Sequence, residues 1–172
     1  MACVSSVKYS VKFNGKLLEA FTPSRGLRQG DPLSPFLFLF VADALSSLIK
    51  KATREDDLKG VKINRSAPKI SHLLFADDSL PFFHATEQQA TLVKGLLNTY
   101  ASATGQLINP SKCSILFSNH CLPNMIQEVK NVLEITREVF EPKYLGLPVP
   151  EGRMHKGRFE TTQDRLRKRL VD

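Results

Sequence analysis

The amino-acid sequence predicts an α+β fold, a mainly antiparallel sheet with helices packed on one face. Three observations lead there: two separate hairpin signatures, helical periodicity between and after them, and turn residues at the junctions. In the first hairpin Val7, Tyr9, Val11 and Phe13 alternate with Lys8, Ser10 and Lys12, the period of a half-buried strand. Asn14-Gly15 follows as a type I′ turn, so Lys16 to Phe21 is expected to return as the partner strand.

Thr22 to Pro35, TPSRGLRQGDPLSP, gathers two glycines, three prolines and two arginines in one loop. Ser34 then Pro35 suit an N-cap and first helical position, opening a helix from Phe36 to Lys51. The first half of that helix is apolar nearly all round, which predicts burial. Thr53 to Lys59 is charged and forms a solvated loop, and Val61 to Ile63 is a short strand candidate.

The second hairpin is HLLFADDSLPFF, His72 to Phe83. Its arms, His72 to Phe75 and Leu80 to Phe83, are rich in Leu and Phe and read as buried strands. Asp77 and Asp78 lie between them, where two like charges are costly unless a cation binds. Mg²⁺ matches, because it takes one or two carboxylates and completes its shell with water and substrate phosphates. Neighbouring strand residues point to opposite faces, so only one Asp aims squarely at a metal unless the turn rotates the other. A plain β-turn, in which Asp bonds its own backbone, is the competing reading of this dipeptide.

Beyond the hairpin, Thr86 and Gln89 form a capping box for a helix with Val93, Leu96, Leu97 and Tyr100 on one face, ended by Gly105. That helix is expected to lie against the sheet. A loop, Gly105 to Cys113, feeds a predicted strand over Cys113 to Phe117, and a helix from Asn124 to Glu134 carries Ile126, Val129, Val132 and Leu133 at helical spacing. Val139-Phe140 is a further strand candidate. After the turn segment KYLGLPVP, a last helix from Arg158 to Val171 places Phe159, Thr162, Leu166 and Leu170 on one face.

At 172 residues the chain suffices for one domain or part of a larger one. A net charge of +7 favours an anionic partner, nucleic acid first, with a merely solubilising basic surface as the alternative that composition leaves open. Residues 143–172 hold eight Lys or Arg against four Asp or Glu, a net +4. Cys3, Cys113 and Cys121 have no CxxC spacing, which argues against a disulfide framework or zinc site and for a reducing compartment. His72 reads as a packed or hydrogen-bonded core residue, and His84, His120 and His155 lack metal-ligand spacing. No signal peptide is apparent, and the longest wholly apolar run, Phe36 to Ala42, is too short for a membrane span. The expected location is intracellular, nuclear or cytoplasmic.

GLRQGDPLSP followed by HLLFADDSLPFF resembles the reverse transcriptase of plant non-LTR (LINE-type) retrotransposons. YSVKFNG, ASATGQLINPSKC and FEPKYLGLPVPEGR with its trailing basic helix agree in the same order, so the resemblance covers nearly the whole chain. It implies a polymerase palm over residues 1–142, then a primer-grip hairpin and the start of a thumb over 143–172. It further implies RNA-templated DNA synthesis with Mg²⁺ and deoxynucleoside triphosphates on an RNA template and DNA primer. By the resemblance Asp77 is the direct metal ligand and Asp78 the second acidic member, with small Ala76 letting a primer terminus approach. Arg25, Arg28, Gln29 and Gly30 would meet template and incoming nucleotide, Gly26 and Gly30 through their backbone freedom. Lys112 would act near the triphosphate. Tyr144, Leu145 and Gly146 would shape the primer grip, while Arg158, Arg165, Arg167 and Lys168 would track the duplex backbone. For these Arg and Lys side chains, plain solvated surface is the alternative.

Palms of this family need a third carboxylate from an earlier strand, and neither Glu19 nor Asp31 looks like a substitute. Met1 reads as an internal methionine of a longer ancestor. The expectation is therefore a partial reverse transcriptase domain, inactive alone unless another chain supplies the missing strand. A non-catalytic nucleic-acid-binding module or a decayed retroelement fragment are the alternatives. Pro81 lies in the strand after the carboxylates, where a shortened or bulged arm is expected.

Overall fold

The computed structural model describes residues 6–24, 26–138, 143–145, 147–148 and 156–171. In order it contains β1 (Lys12–Phe13), β2 (Lys16–Leu17), α1 (Ser34–Arg54), β3 (His72–Phe75), β4 (Asp78–Pro81), α2 (Glu87–Thr104), α3 (Pro123–Leu133), β5 (Lys143–Tyr144), β6 (Leu147–Pro148) and α4 (Glu160–Val171). Short 3₁₀ turns occupy Pro110–Lys112 and Lys156–Phe159. The chain is thus a mixture of helices and small antiparallel sheets. Among the described residues the strands form three separate two-stranded hairpins, β1 with β2, β3 with β4 and β5 with β6. Two compact units, Met1–Ile108 and Asn109–Asp172, are distinguished by their internal contacts.

In the first unit the Asn14-Gly15 turn takes positive φ at both residues, 47° and 79°, as a type I′ turn requires. Lys12 pairs with Leu17 and Phe13 with Lys16, and Tyr9 bridges Phe21 further down, so the turn forms where Asn14-Gly15 predicts it. The half-buried strand that the alternation predicts is not found: each strand is two residues long, and Val11, Phe13 and Leu17 are all exposed, because among the described residues no core surface covers this hairpin. Helix α1 starts at Ser34 itself rather than after it. Ser34 is the first helical residue, its hydroxyl donating to the Arg28 carbonyl (2.9 Å), while the Leu33 N–H donates to the Asp31 carboxylate (2.8 Å).

Burial in α1 is the reverse of the expectation. Leu45, Ser46, Ile49 and Ala52 of its second half are buried, whereas Phe36 (62% exposed), Leu39 (62%) and Phe40 (76%) stand open. Apolar composition creates the demand for burial, but a partner surface must meet it, and the hydrophobic core involves α1 mainly from Leu45 onward. There Leu45, Ile49, Ala52, Leu58, Val93 and Tyr100 form the core, with Leu74 of β3 and Leu96 and Leu97 of α2 packed on it.

Helix α2 follows its sequence signals closely. The Thr86 hydroxyl accepts from the Gln89 N–H (3.3 Å), and Gly105 ends the helix at φ 73°. The reciprocal half of the capping box is replaced: the Gln89 amide instead accepts from the Lys59 N–H (2.7 Å) and donates to the Asp57 carbonyl (2.7 Å), tying the α1–β3 connection to α2. Val61, proposed as a short strand, makes a single bridge with Ile70.

In the second unit α3 forms where its spacing predicted, with Val129 wholly buried. The expected strand over Cys113 to Phe117 is not one, although the Ile115 N–H donates to the Arg137 carbonyl (2.9 Å). A single such bond does not make a ladder, and alternation alone could not supply a neighbouring strand. Val139-Phe140 lie outside the described residues. Helix α4 appears as predicted, entered through the 3₁₀ turn. Among the described residues no helix is long and apolar enough to cross a membrane.

Candidate functional site

The acidic pair sits at the tip of the β3–β4 hairpin. Phe75 faces Asp78, leaving Ala76 and Asp77 as a two-residue turn. The positive φ falls on Ala76, at 48°, and not on Asp77. This is the pattern of a type II′ turn, whose first central position suits glycine because a Cβ is strained there. Ala76→Gly is expected to stabilise the first unit by about 0.5–1 kcal/mol, measured by urea denaturation. Asp77, lying in the turn, is released from the strand alternation that constrained the sequence reading. Both carboxylates are exposed.

Residues facing each other across an antiparallel pair share a side of the sheet. Asp78 therefore lies with Phe75, Leu73 and Leu80 on one side, while Leu74 on the other packs on the core. The arms are thus half-buried rather than buried: Leu73 is 51% and Phe75 58% exposed. Helices cover only one side of this hairpin.

Pro81 neither shortens nor bulges its arm. The register runs without a break from Phe75↔Asp78 to His72↔Pro81, and the Phe82 N–H then donates to the Ser71 carbonyl (2.8 Å). Pairs alternate between hydrogen-bonded and non-bonded along such a ladder. Pro81 falls at a non-bonded pair, where its nitrogen faces away from β3 and the missing N–H costs no ladder bond.

His72, at the base of β3, is held between two serines. Its Nε2 lies 2.9 Å from Ser46 Oγ of α1 and its Nδ1 3.0 Å from Ser71 Oγ. A neutral ring satisfies both, one nitrogen donating and the other accepting. Burial, and then the nearby Lys50 charge, push its pKa below the ordinary histidine value. A lowered folded-state pKa means the unfolded chain binds the proton more readily, so this contribution is complete above the unfolded value near 6.5 and is lost as pH falls from there through the lowered folded-state value. The denaturation midpoint is accordingly expected to fall between pH 7 and 5, with a flatter profile in His72→Gln, followed by circular dichroism.

The remaining predicted residues are spread over both units. Arg28, Gln29 and Gly30 are exposed in the loop before α1, Gly30 at φ 80° with open space around it, so it answers a backbone requirement and not a close neighbour. Arg25 and Gly146 lie outside the described residues, as does the side chain of Arg158. Among the described residues no hydrogen bond or ion pair joins this loop to Asp77 or Asp78. Lys112 is exposed in the second unit, ending the 3₁₀ turn that Asn109 caps. Tyr144 is half-buried at the end of β5, and Leu145 takes φ 52° in the turn before β6. Arg165, Arg167 and Lys168 are exposed on α4, Arg167 lying 3.6 Å from Asp164. Cys113 is half-buried, and that burial raises the pKa of its thiol. Among the described residues no three His, Cys, Asp or Glu side chains converge as a metal site. Lys50, Arg54 and Lys69, which belong to no motif in the sequence, line a cleft with Ser46 and His72. Only the one-face spacing of Ser46, Lys50, Thr53 and Arg54 hinted at it.

A tight antiparallel hairpin carrying two exposed carboxylates, with helices on one side, is a site able to present acidic oxygens to a cation and a phosphorylated substrate. The family model for reverse transcriptase (RNA-dependent DNA polymerase) matches residues 2–149, and the chain belongs to that family. Among its relatives, an uncharacterized mitochondrial protein of Arabidopsis thaliana is 50% identical over 66 residues, 38% of this chain and 54% of that protein. The Pol polyprotein of a type-1 retrotransposable element from Popillia japonica is 28% identical over 156 residues, 86% of this chain and 24% of that polyprotein. A Pol polyprotein of a type-2 element from Drosophila melanogaster is 32% identical over 104 residues, 60% of this chain and 9% of its own length. The chain thus spans about half or less of these relatives.

Proposed function

We propose that this chain is the palm of an RNA-directed DNA polymerase with the opening of its thumb, and that Asp77 and Asp78 supply two of the carboxylates that hold Mg²⁺. The observation that carries the reading is the exposed acidic pair at the tip of a two-residue turn, within the segment matched by the family. Two adjacent exposed carboxylates fit one Mg²⁺, whose shell is otherwise completed by water and substrate phosphates. When bound, the ion supplies charge stabilisation to the in-line displacement at the α-phosphate of a deoxynucleoside triphosphate. Ala76 leaves room at the turn for a primer end. Arg25, Arg28, Gln29 and Gly30 contact template and nucleotide, Lys112 offsets triphosphate charge, and Tyr144, Leu145 and Gly146 support the primer.

A second Mg²⁺ needs a further carboxylate, which a strand from outside these 172 residues would supply. Exposed Phe36, Leu39 and Phe40 on α1 support such an addition, since they offer an apolar surface for it to cover. By itself the chain is expected to extend a DNA primer on an RNA template at or near background. Robust synthesis by the purified chain, lost in Asp77→Asn, would overturn the incomplete-site reading.

A second reading rests on α4, where Arg165, Arg167 and Lys168 are all exposed. As a non-catalytic module the chain would bind primer–template duplex in a salt-dependent way, weakened by charge reversal of Arg165 and Arg167 and indifferent to Asp77→Asn. Absence of binding at low salt would rule it out.

A further inference from the structure

A cleft of about 530 Å³ opens beside the contact between the second half of α1 and β3, where Ser46 meets His72. Ser46, Lys50, Thr53 and Arg54 line it from the helix, and the six consecutive residues 69–74 line it from the strand. Leu73 and Leu74 lie on opposite sides of the hairpin, yet both border the cleft, and no residue of β4 does. The cleft therefore follows the edge of β3 that β4 leaves open.

The ladder phase determines what that edge displays. The Ser71 carbonyl accepts from Phe82, so Ser71, Leu73 and Phe75 turn their backbone groups toward β4, and those of His72 and Leu74 point outward. Two residues before His72 the outward groups of Ile70 are already paired. The Val61 N–H donates to the Ile70 carbonyl (2.9 Å) and the Ile70 N–H to the Val61 carbonyl (2.8 Å). The chain before Val61 then turns away, the Lys59 N–H going to Gln89. The outward N–H and C=O groups of His72 and Leu74 have no backbone partner among the described residues.

Charge narrows the choice of occupant. Lys50, Arg54 and Lys69 border the cleft, and among the described residues no carboxylate does. Lys69 already pairs with Asp56 (3.1 Å), whereas Lys50 and Arg54 are exposed and make no ion pair among the described residues. Cations in the last turn of a helix also favour its carbonyl end, which accounts for Arg54 but not for an open strand edge beside it.

We propose that the open edge of β3 takes an extended acidic peptide as an added strand, with Lys50 and Arg54 meeting its carboxylates. The edge offers N–H and C=O alternately, which another peptide backbone complements. A phosphodiester backbone offers only acceptors and would leave the His72 and Leu74 carbonyls unpaired.

The test uses the purified chain and a labelled, end-capped peptide of about six residues alternating Val and Glu, long enough to span the open edge at roughly 3.3 Å per residue. Fluorescence anisotropy is expected to show saturable binding, with slowed amide exchange at His72 and Leu74. Replacing Glu by Lys in the peptide, or N-methylating alternate peptide nitrogens, is expected to weaken binding at least about tenfold. The double variant Lys50→Glu, Arg54→Glu is expected to do the same with an unchanged far-ultraviolet dichroism spectrum. Should that variant fail to fold, the N-methylated peptide against the unaltered chain decides the matter. Failure of the Glu peptide to bind folded protein, or indifference to N-methylation, would overturn the proposal. So would an oligothymidylate that protects His72 and Leu74 while the peptide does not.

Discussion

In a longer polypeptide that carries a third carboxylate, Asp77→Asn is expected to lower single-nucleotide incorporation on the order of 10³-fold, several kcal/mol of transition-state stabilisation. The substitution keeps shape and hydrogen-bonding capacity while removing the charge that a divalent cation needs. Because Asp77 is exposed and lies in the turn, the thermal midpoint is expected to move little. That combination separates loss of metal binding from loss of fold. Asp78→Asn tests the neighbouring carboxylate in the same assay. Asp78 begins β4 opposite Phe75, so its direction is held by the ladder, whereas Asp77 is placed by the turn alone. Activity that survives Asp77→Asn would overturn the metal role proposed for Asp77.

The largest effect on stability is expected at Leu58. Only 1% exposed, it packs among Leu45, Ile49, Ala52, Val93 and Tyr100, which corrects the expectation of a solvated loop over Thr53 to Lys59: the helix runs on to Arg54 and the connection after it turns Leu58 into the core. Its own N–H and that of Asp57 both donate to the Ala52 carbonyl (3.0 Å each), which curls the chain back under α1. Leu58→Ala removes the buried side chain and leaves a cavity, with an expected loss of about 2–5 kcal/mol in urea denaturation. A loss below about 1 kcal/mol would show that the site collapses around the smaller residue. The same loop continues to Lys59 and Asp57, which Gln89 ties to α2, so Leu58→Ala is also expected to speed amide exchange at Lys59.

The Asp56 carboxylate on that loop is held below the ordinary carboxylate range by its bonds to Lys59 and Lys69. All three are exposed, so the network is a solvated clasp and not a source of large stability.

Much of this protein was legible in its sequence because the relevant interactions are local. Asn14-Gly15 specifies its hairpin, Thr86 and Gly105 bound their helix, and the placement of Ala76, Asp77 and Asp78 between two apolar arms specifies a turn that presents carboxylates. Each rests on contacts within a few residues, where backbone preference and side-chain capping operate without help from elsewhere. The family resemblance was likewise carried by the order of motifs along the chain, and the family match bears it out.

Only the tertiary structure decided how the apolar residues are used. Leu73 and Phe75 look like core in composition, yet the core meets β3 from one side alone. Phe36, Leu39 and Phe40 have the same apolar character as Leu45 and Ile49, but the core partners lie against the second half of α1. Pro81 looked like a defect until the ladder phase turned its nitrogen outward. Burial and hydrogen-bond phase belong to pairs of surfaces, and a single segment does not contain its partner. For the same reason the open edge of β3, bordered by Lys50 and Arg54 from a helix distant in sequence, came into view only with the fold.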